Sequence, residues 1–277
     1  ARESLEGQEK GPSASAGAWA HMNFTAAGLS DVGLQREHNE DSFCIASEHR
    51  LFVVADGMGG HRAGDIASRM ATAEVRAFFD ATEVDDADWP HQDEGHSLDS
   101  DQQRLISAVK LANRRIFRAS IGNRSVQGMG TTIVGALFNR EERKLHIAHV
   151  GDSRAYRVRA GEIDQLTRDH SLLNDYLLVM PNLSDTQKER LPSNVITRAL
   201  GMQEAVAVDL SDDRVQPGDV YVLCSDALIG MVGDPRILEI VQSAAGDIEW
   251  AARALVSEAN QNGGEDNITV VLVRIAE

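Results

Sequence analysis

Residues 51–61 read LFVVADGMGGH: five apolar residues in a row, an aspartate, then three glycines within four positions and a histidine. A short apolar run bounded by glycine is a strand signal, so Asp56 stands where a strand ends. The same arrangement recurs. Asp152 follows LHIAHVG, Asp226 follows VYVLCS, and Asp266 precedes NITVVLV. A lone aspartate at a strand end is usually a turn former or a helix cap. Four of them, on strands that share sheets, can meet at a common rim, where they would repel one another unless cations sat between them. Hard oxygen ligands with few histidines or thiolates suit magnesium or manganese rather than zinc. The glycines after Asp56 then have a role. Without a Cβ, the Gly57 backbone can turn sharply and bring its carbonyl to the same cation.

Two nucleotide motifs fail on detail. GMGGHR lacks the Lys-Ser/Thr end of a phosphate-binding P-loop, and Arg62 stands where the dinucleotide fingerprint needs its third glycine. Upstream, REHNED (36–41) sets Arg36 five residues before Asp41. Taken alone this is a charged surface turn. Beside divalent cations, Arg36 would grip two phosphate oxygens with its planar fork, and Glu40 and Asp41 would bind metal or hold its waters.

Composition narrows the classes. Asp and Glu outnumber Lys and Arg by 43 to 27, a formal net charge of -16, which disfavours nucleic acid as a partner. Bound cations would let so acidic a chain hold an anionic substrate. The two cysteines, Cys44 and Cys224, give neither a disulfide framework nor a zinc spacing and fit a cytoplasmic location. No apolar run approaches the roughly 20 residues of a membrane helix. Residues 1–21 are rich in Gly, Ala and Ser without a signal-peptide pattern, so a disordered leader or vector remnant is expected there.

Strand signals fall at 23–30, 42–47, 51–55, 131–138, 145–150, 153–159, 205–210, 219–224 and 268–275, and helical periodicity at 64–80, 102–120, 170–179, 236–244 and 247–261. Asp169 or Ser171 is the N-cap candidate of the third helix. Helices come in blocks between runs of strands, and GDS is a tight turn between two of them. That order favours an antiparallel, layered α+β fold over a βαβ alternation. Residues 81–101 and 180–194 are expected as surface excursions.

With these residues in view, the sequence resembles the metal-dependent protein phosphatases, the type 2C serine/threonine class, in its bacterial branch. Seven segments carry the likeness in order across about residues 25–275: SDVGLQREHNEDSF, LFVVADGMGGHRAGDIAS, GMGTTIVGALF, IAHVGDSRAYRVRAGEIDQLTRDHSLL, NVITRALG, VYVLCSDALIGMV and GGEDNITVVLV. The resemblance implies an α+β fold of two packed antiparallel β-sheets flanked by helix pairs, with residues 22–277 as one catalytic domain. It implies two Mn2+ or Mg2+ ions: Asp41 and Asp56 as direct ligands with Asp56 bridging, Gly57 through its carbonyl, and Asp226 and Asp266 completing the pair. Glu40 would hold metal-bound water and Asn267 would support the loop. Asp152, with Asp226, matches a weaker third metal site. The implied chemistry is in-line attack on phosphoserine or phosphothreonine by a metal-bridging hydroxide, with Arg36 on the phosphoryl oxygens and no phosphoenzyme. His61 is the candidate general acid, against a loop-packing role. Thr131 and Thr132 would buttress the site. His170 and Ser171 would open the helix leading to a variable flap at about 170–193, a place for substrate choice. Phosphorylated proteins, including a serine/threonine protein kinase, are the implied partners of a cytoplasmic monomer.

The likeness breaks at two positions. Ala227 stands where the family has a glycine, and Gly230 where an acid is often found. Alanine would strain the rim if that position needs positive φ and be harmless otherwise; Gly230 predicts a third metal site that is weak or absent. Two rivals follow: a pseudophosphatase that binds phosphoproteins without turnover, and a cysteine phosphatase suggested by CIASEHR (44–50). The latter needs its cysteine in a loop before a helix, whereas Cys44 is expected within a strand.

Overall fold

The computed structural model describes residues 23–59, 63–82, 98–188, 191–192 and 195–276. The elements in chain order are β1 (Phe24–Asp31), β2 (Asp41–Ala46), β3 (Leu51–Met58), α1 (Ala63–Ala81) and α2 (Ser100–Gly122), then β4 (Gly130–Thr131), β5 (Ile133–Asn139), β6 (Lys144–Val150), β7 (Arg154–Arg159) and β8 (Glu162–Gln165). After them come α3 (Leu172–Val179), α4 (Asp185–Lys188), β9 (Asp209–Arg214), β10 (Val220–Cys224), α5 (Asp226–Met231), α6 (Asp234–Ser243), α7 (Ile248–Gln261) and β11 (Ile268–Ile275).

The strands form two antiparallel sheets. One has the order β2-β3-β5-β6-β9, with β4 paired to the end of β3; the other has the order β1-β11-β10-β7-β8. The unbroken apolar run at the start of β3 follows from burial on both faces. Leu51, Val53 and Ala55 pack outward against Ala67, Ala71 and Val75 of α1 and Leu105 and Val109 of α2. Phe52 and Val54 point the other way, into the seam between the sheets, with Val134, Ile147, Tyr221, Leu223 and Val271. Residues of α5, α6 and α7 cover the far face of the second sheet. The layers are therefore helix, sheet, sheet, helix.

Local chemistry sets the helix starts. Asp99 caps α2 in a reciprocal pair with Gln102. Ser171 caps α3 through Asn174 N–H, while Asp169 instead binds Arg154. Five elements differ from the sequence reading. The strand expected at 205–210 begins at Asp209 and runs through polar residues, because this edge strand is held by pairing to β6 and by ion pairs such as Arg157–Asp213 at 2.6 Å. The strand expected at 131–138 is interrupted at Thr132, whose N–H turns to the Asp56 carbonyl at 2.8 Å. The short β8, α4 and α5 carried no signal that was read. The leader at 1–21, most of the 81–101 excursion, parts of the flap, and His61 lie outside the described residues. No helix among those described is long and apolar enough to cross a membrane.

Candidate metal centre

The β2–β3 register puts Asp41 directly opposite Asp56. Like charges so placed destabilise a sheet, and the surrounding backbone is fixed to hold them there. Asp56 N–H donates to Thr132 Oγ1 (3.0 Å), and the Asp56 carbonyl accepts from Thr131 Oγ1 (2.8 Å). Asn39 Oδ1 accepts from Asp41 N–H at 3.0 Å. Gly57 continues β3 without turning; its N–H donates to the Glu40 carbonyl at 3.1 Å. Glycine is needed here for closeness, since a Cβ would stand 2.2 Å from the Gly64 carbonyl oxygen and 2.5 Å from that of Glu40. The sharp turn assigned to Gly57 falls instead at Gly59, with φ at 141°. Gly64, unread in the sequence, is the other half of this contact: a Cβ there would meet Glu40 Oε2 at 2.3 Å.

The second sheet brings the other acids. Asp226 opens α5 directly after β10, and Asp266 stands two residues before β11. Asn267, between Asp266 and the strand, ties three segments together. Its Oδ1 accepts from Glu40 N–H (2.7 Å), and its Nδ2 donates to the carbonyls of Val32 and His38 (2.9 Å each). Arg36 Nη2 donates to Asp266 Oδ2 at 2.6 Å. Arg36, Glu40, Asp56, Gly57, Asp226 and Asp266 line one cleft of about 380 Å3. Asp41 and Asp152 lie behind it, 7% and 9% exposed.

Both oxygens of Asp41 and Oδ1 of Asp152 are buried without a hydrogen-bond donor. Burial first, then neighbouring acids, push Asp41 up to about 7. Burial and then Asp226 do the same to Asp152, also to about 7. Asp56 is raised well above the carboxylate range by burial, then by Asp41, Asp226 and Asp152, and burial also raises Asp226. The Ser225 and Thr269 hydroxyls near Asp41 temper its rise. Neither hydroxyl reaches hydrogen-bond geometry with the carboxylate, so both Asp41 oxygens remain without a donor. Carboxylates gathered in this way, with the oxygens of Asp41 and Oδ1 of Asp152 buried and without a donor, are a donor set for hard divalent cations. The residues fit that group.

Tighter clusters of ligand-type side chains occur elsewhere, at His149, His170 and Asp209 and at Glu48, His49 and Asp80. In each a guanidinium already neutralises the carboxylate: Arg198 pairs with Asp209, and Arg76 with Glu48 and Asp80. Ala227 lies within α5 and is not among the described residues with positive φ, so alanine fits there without backbone strain. Gly230 lies on the same helix with open space around it, so packing does not explain its glycine. Cys44 sits in mid-strand opposite Val53 with its thiol pKa raised by burial, and Arg50 stands beyond the next turn. That is no phosphate cradle.

Comparison with known proteins agrees with this geometry. The profile of the protein phosphatase 2C family matches residues 35–209. The serine/threonine phosphatase stp of Listeria monocytogenes is 36% identical over 246 residues, 88% of this chain and 92% of the relative. Protein phosphatase PhpP of Streptococcus pneumoniae is 35% identical over 256 residues, 90% of this chain and 96% of the relative. The solved catalytic domain of the serine/threonine protein phosphatase PstP in complex with two manganese ions aligns with a TM-score of 0.76 at 32% identity, covering 93% of this chain and 100% of that one. The chain belongs to the protein phosphatase 2C family, in its bacterial serine/threonine phosphatase branch.

Proposed function

We propose that this chain hydrolyses phosphoserine and phosphothreonine in proteins with a pair of Mn2+ or Mg2+ ions held by Asp41, Asp56, the Gly57 carbonyl, Asp226 and Asp266. The observation that carries the proposal is Asp41: a desolvated carboxylate whose two oxygens have no donor, directly opposite Asp56. When bound, the cations supply a lowered pKa for water, hence a hydroxide nucleophile near neutral pH, and relieve charge on the phosphoryl oxygens. Arg36 orients the phosphate with its fork; its present partner, Asp266, marks the edge of the cleft where that anion would lie. Glu40, fixed through its backbone to Asn267 and Gly57, lines the cleft with a carboxylate that can hold water there. On sequence alone, His61 donates the proton to the leaving alkoxide. At Asp152, with Asp226 beside it and Gly230 in place of an acid, a third site is weak or absent.

Phosphorylated proteins, a serine/threonine kinase among them, are the substrates that follow from this reading. The test is manganese-dependent release of phosphate from a phosphothreonine peptide, lost with a chelator and with Asp226→Asn. A folded protein that binds manganese and phosphopeptide yet releases no phosphate would favour a phosphoprotein-binding module instead.

A further inference from the structure

We propose that a groove beyond Met58 and Ile196 is a subsite for an apolar side chain flanking the phosphorylated residue of a protein substrate; this rests on the phosphatase reading above. The groove, about 460 Å3, is lined by Met58, Ile196, Arg198, Met202, Ala205 and Val206, among others. Met58 and Ile196 also line the acid cleft, so the two cavities adjoin. A polypeptide whose phosphate reaches Arg36 has chain on both sides of the phosphoresidue, and one direction leads across this shared wall. The volume admits one or two side chains.

The two cavities differ in chemistry. The acid cleft carries Arg36, Glu40, Asp56, Asp226 and Asp266. Among the described residues no carboxylate lines the groove, and its charged side chain, Arg198, is already bound to Asp209 and to the Ala207 carbonyl (3.2 Å). Thioether and aliphatic groups dominate what remains, and methionine adapts to varied apolar partners. The occupant is therefore a Leu, Ile, Met or Phe type of side chain.

The groove is also built to stay in register with the reacting centre. Met58 pairs with Gly130, on the strand that carries Asp56 and Gly57. Thr131 and Leu200 exchange backbone hydrogen bonds (3.1 and 2.8 Å), joining the 200–207 segment to the same strand system. A Cβ on Gly130 would stand 2.9 Å from the Leu200 carbonyl oxygen and 3.2 Å from Met202 Sδ, so glycine lets the 200–202 segment close against the strand. Asn113 of α2, 1% exposed, accepts from Gly201 N–H (2.8 Å) and donates to the carbonyls of Gln203 and Glu204 (3.1 and 3.0 Å). Three bonds from one buried side chain fix the loop before any ligand arrives, which lowers the ordering cost of binding.

The experiment compares phosphothreonine peptides of equal net charge that carry leucine or serine at the first and second positions on either side of the phosphoresidue, with manganese present. At one of these positions the wild type should favour leucine on the order of tenfold in kcat/KM, through KM. Met202→Glu and, separately, Ala205→Glu should bring that ratio to within about twofold of one. Both positions are exposed, so folding is preserved. Equal rates for leucine and serine peptides at all four positions in the wild type overturn the subsite while leaving the phosphatase reading intact. A preference that survives both substitutions also overturns it, as does finding that Met202→Glu changes self-association instead, which would make the groove a contact between copies. No hydrolysis of any peptide by the wild type overturns the phosphatase reading and the subsite with it.

Discussion

Replacing Asp41 with asparagine should stabilise the metal-free protein and destabilise the metal-loaded one. The side chain is 7% exposed, faces Asp56 across the β2–β3 ladder, and has no donor on either oxygen. Burial moves its pKa from the usual 3.8 to about 7. The folded state thus holds a proton that the unfolded chain releases. This contribution to stability is fully present below pH 4 or so and is lost as pH rises through about 7. At pH 8 the ionised carboxylate costs the fold on the order of 4 kcal/mol, because a pKa raised by about three corresponds to roughly 1.36 kcal/mol for each tenfold change in acidity. Asparagine keeps the shape and never ionises. In chelator the variant should gain on the order of 4 kcal/mol at pH 8 and about 2 kcal/mol at pH 5, where the native carboxyl is already protonated. With saturating manganese the sign should reverse, because in the proposed centre Asp41 is one of the ligands through which the cations would stabilise the native state.

Urea unfolding of both proteins at pH 5 and pH 8, with chelator and with manganese, reads all four numbers. Taking the difference between variant and wild type cancels His149 and His170. Burial lowers their pKa values, so their contribution falls as pH drops through the histidine range in both proteins. A variant no more stable than wild type in chelator at pH 8, or equally stabilised at both pH values, refutes the reading of Asp41 as a desolvated charge awaiting a cation.

Gly57→Ala should abolish manganese-dependent hydrolysis and lower Tm, because the added Cβ overlaps two backbone carbonyls; full activity with an unchanged melt would refute the close approach. Asn267→Ala removes three side-chain hydrogen bonds at about 1 kcal/mol each and should cost about 2 to 3 kcal/mol in urea with an unchanged m-value. Arg36→Lys keeps the charge and loses the fork, so kcat on a phosphothreonine peptide should fall on the order of a hundredfold, and a change within twofold would remove Arg36 from the phosphate. Cys44→Ser should leave hydrolysis intact, since Cys44 packs in β2; loss of activity with normal folding would revive the cysteine mechanism.

Much of this architecture was legible because the apolar runs are dense and end in acids. LFVVA, VYVLC and ITVVLV each form the strand expected of them, and the covering helices show clear 3.6-residue periodicity. The acids were readable as a group because four stood in one type of position. Other features had no local signal. Gly64 had none, and the closeness that Gly57 needs comes from an approach between the end of β3 and the start of α1 that the short stretch of sequence between them does not reveal. Asn113 acts on residues 201–204, some 90 positions away, and a buried asparagine in a helix reads as a propensity defect until its partners are known. β9 was misplaced because AVAV alternates like a strand, while the actual strand is chosen by its ladder with β6 and by Arg157 and Arg198, which neutralise its aspartates.

The placement of the acids also explains why the seam between the sheets has to be rigid. Asp41 and Asp56 belong to one sheet, Asp226 and Asp266 follow or precede strands of the other, and Asp152 sits on the connection that crosses between them. Any slide of one sheet over the other would separate the two halves of the donor set. The unliganded protein has reason to slide, since every buried acid at the rim repels its neighbours. Opposing this are the fully buried side chains of the seam, Phe52, Val54, Val134, Tyr221, Leu223 and Val271 among them, and polar ties at the rim itself. Asn267 fastens the β11 side to Glu40, Val32 and His38, and the Thr269 backbone N–H to Ser225 Oγ bond (3.0 Å) fastens β11 to the start of α5. Interiors packed at this density do not deform continuously. The mutual repulsion of Asp41, Asp56, Asp152 and Asp226 is therefore retained in the rim as raised pKa values, available to be relieved by cations, and is not dissipated by movement of the fold.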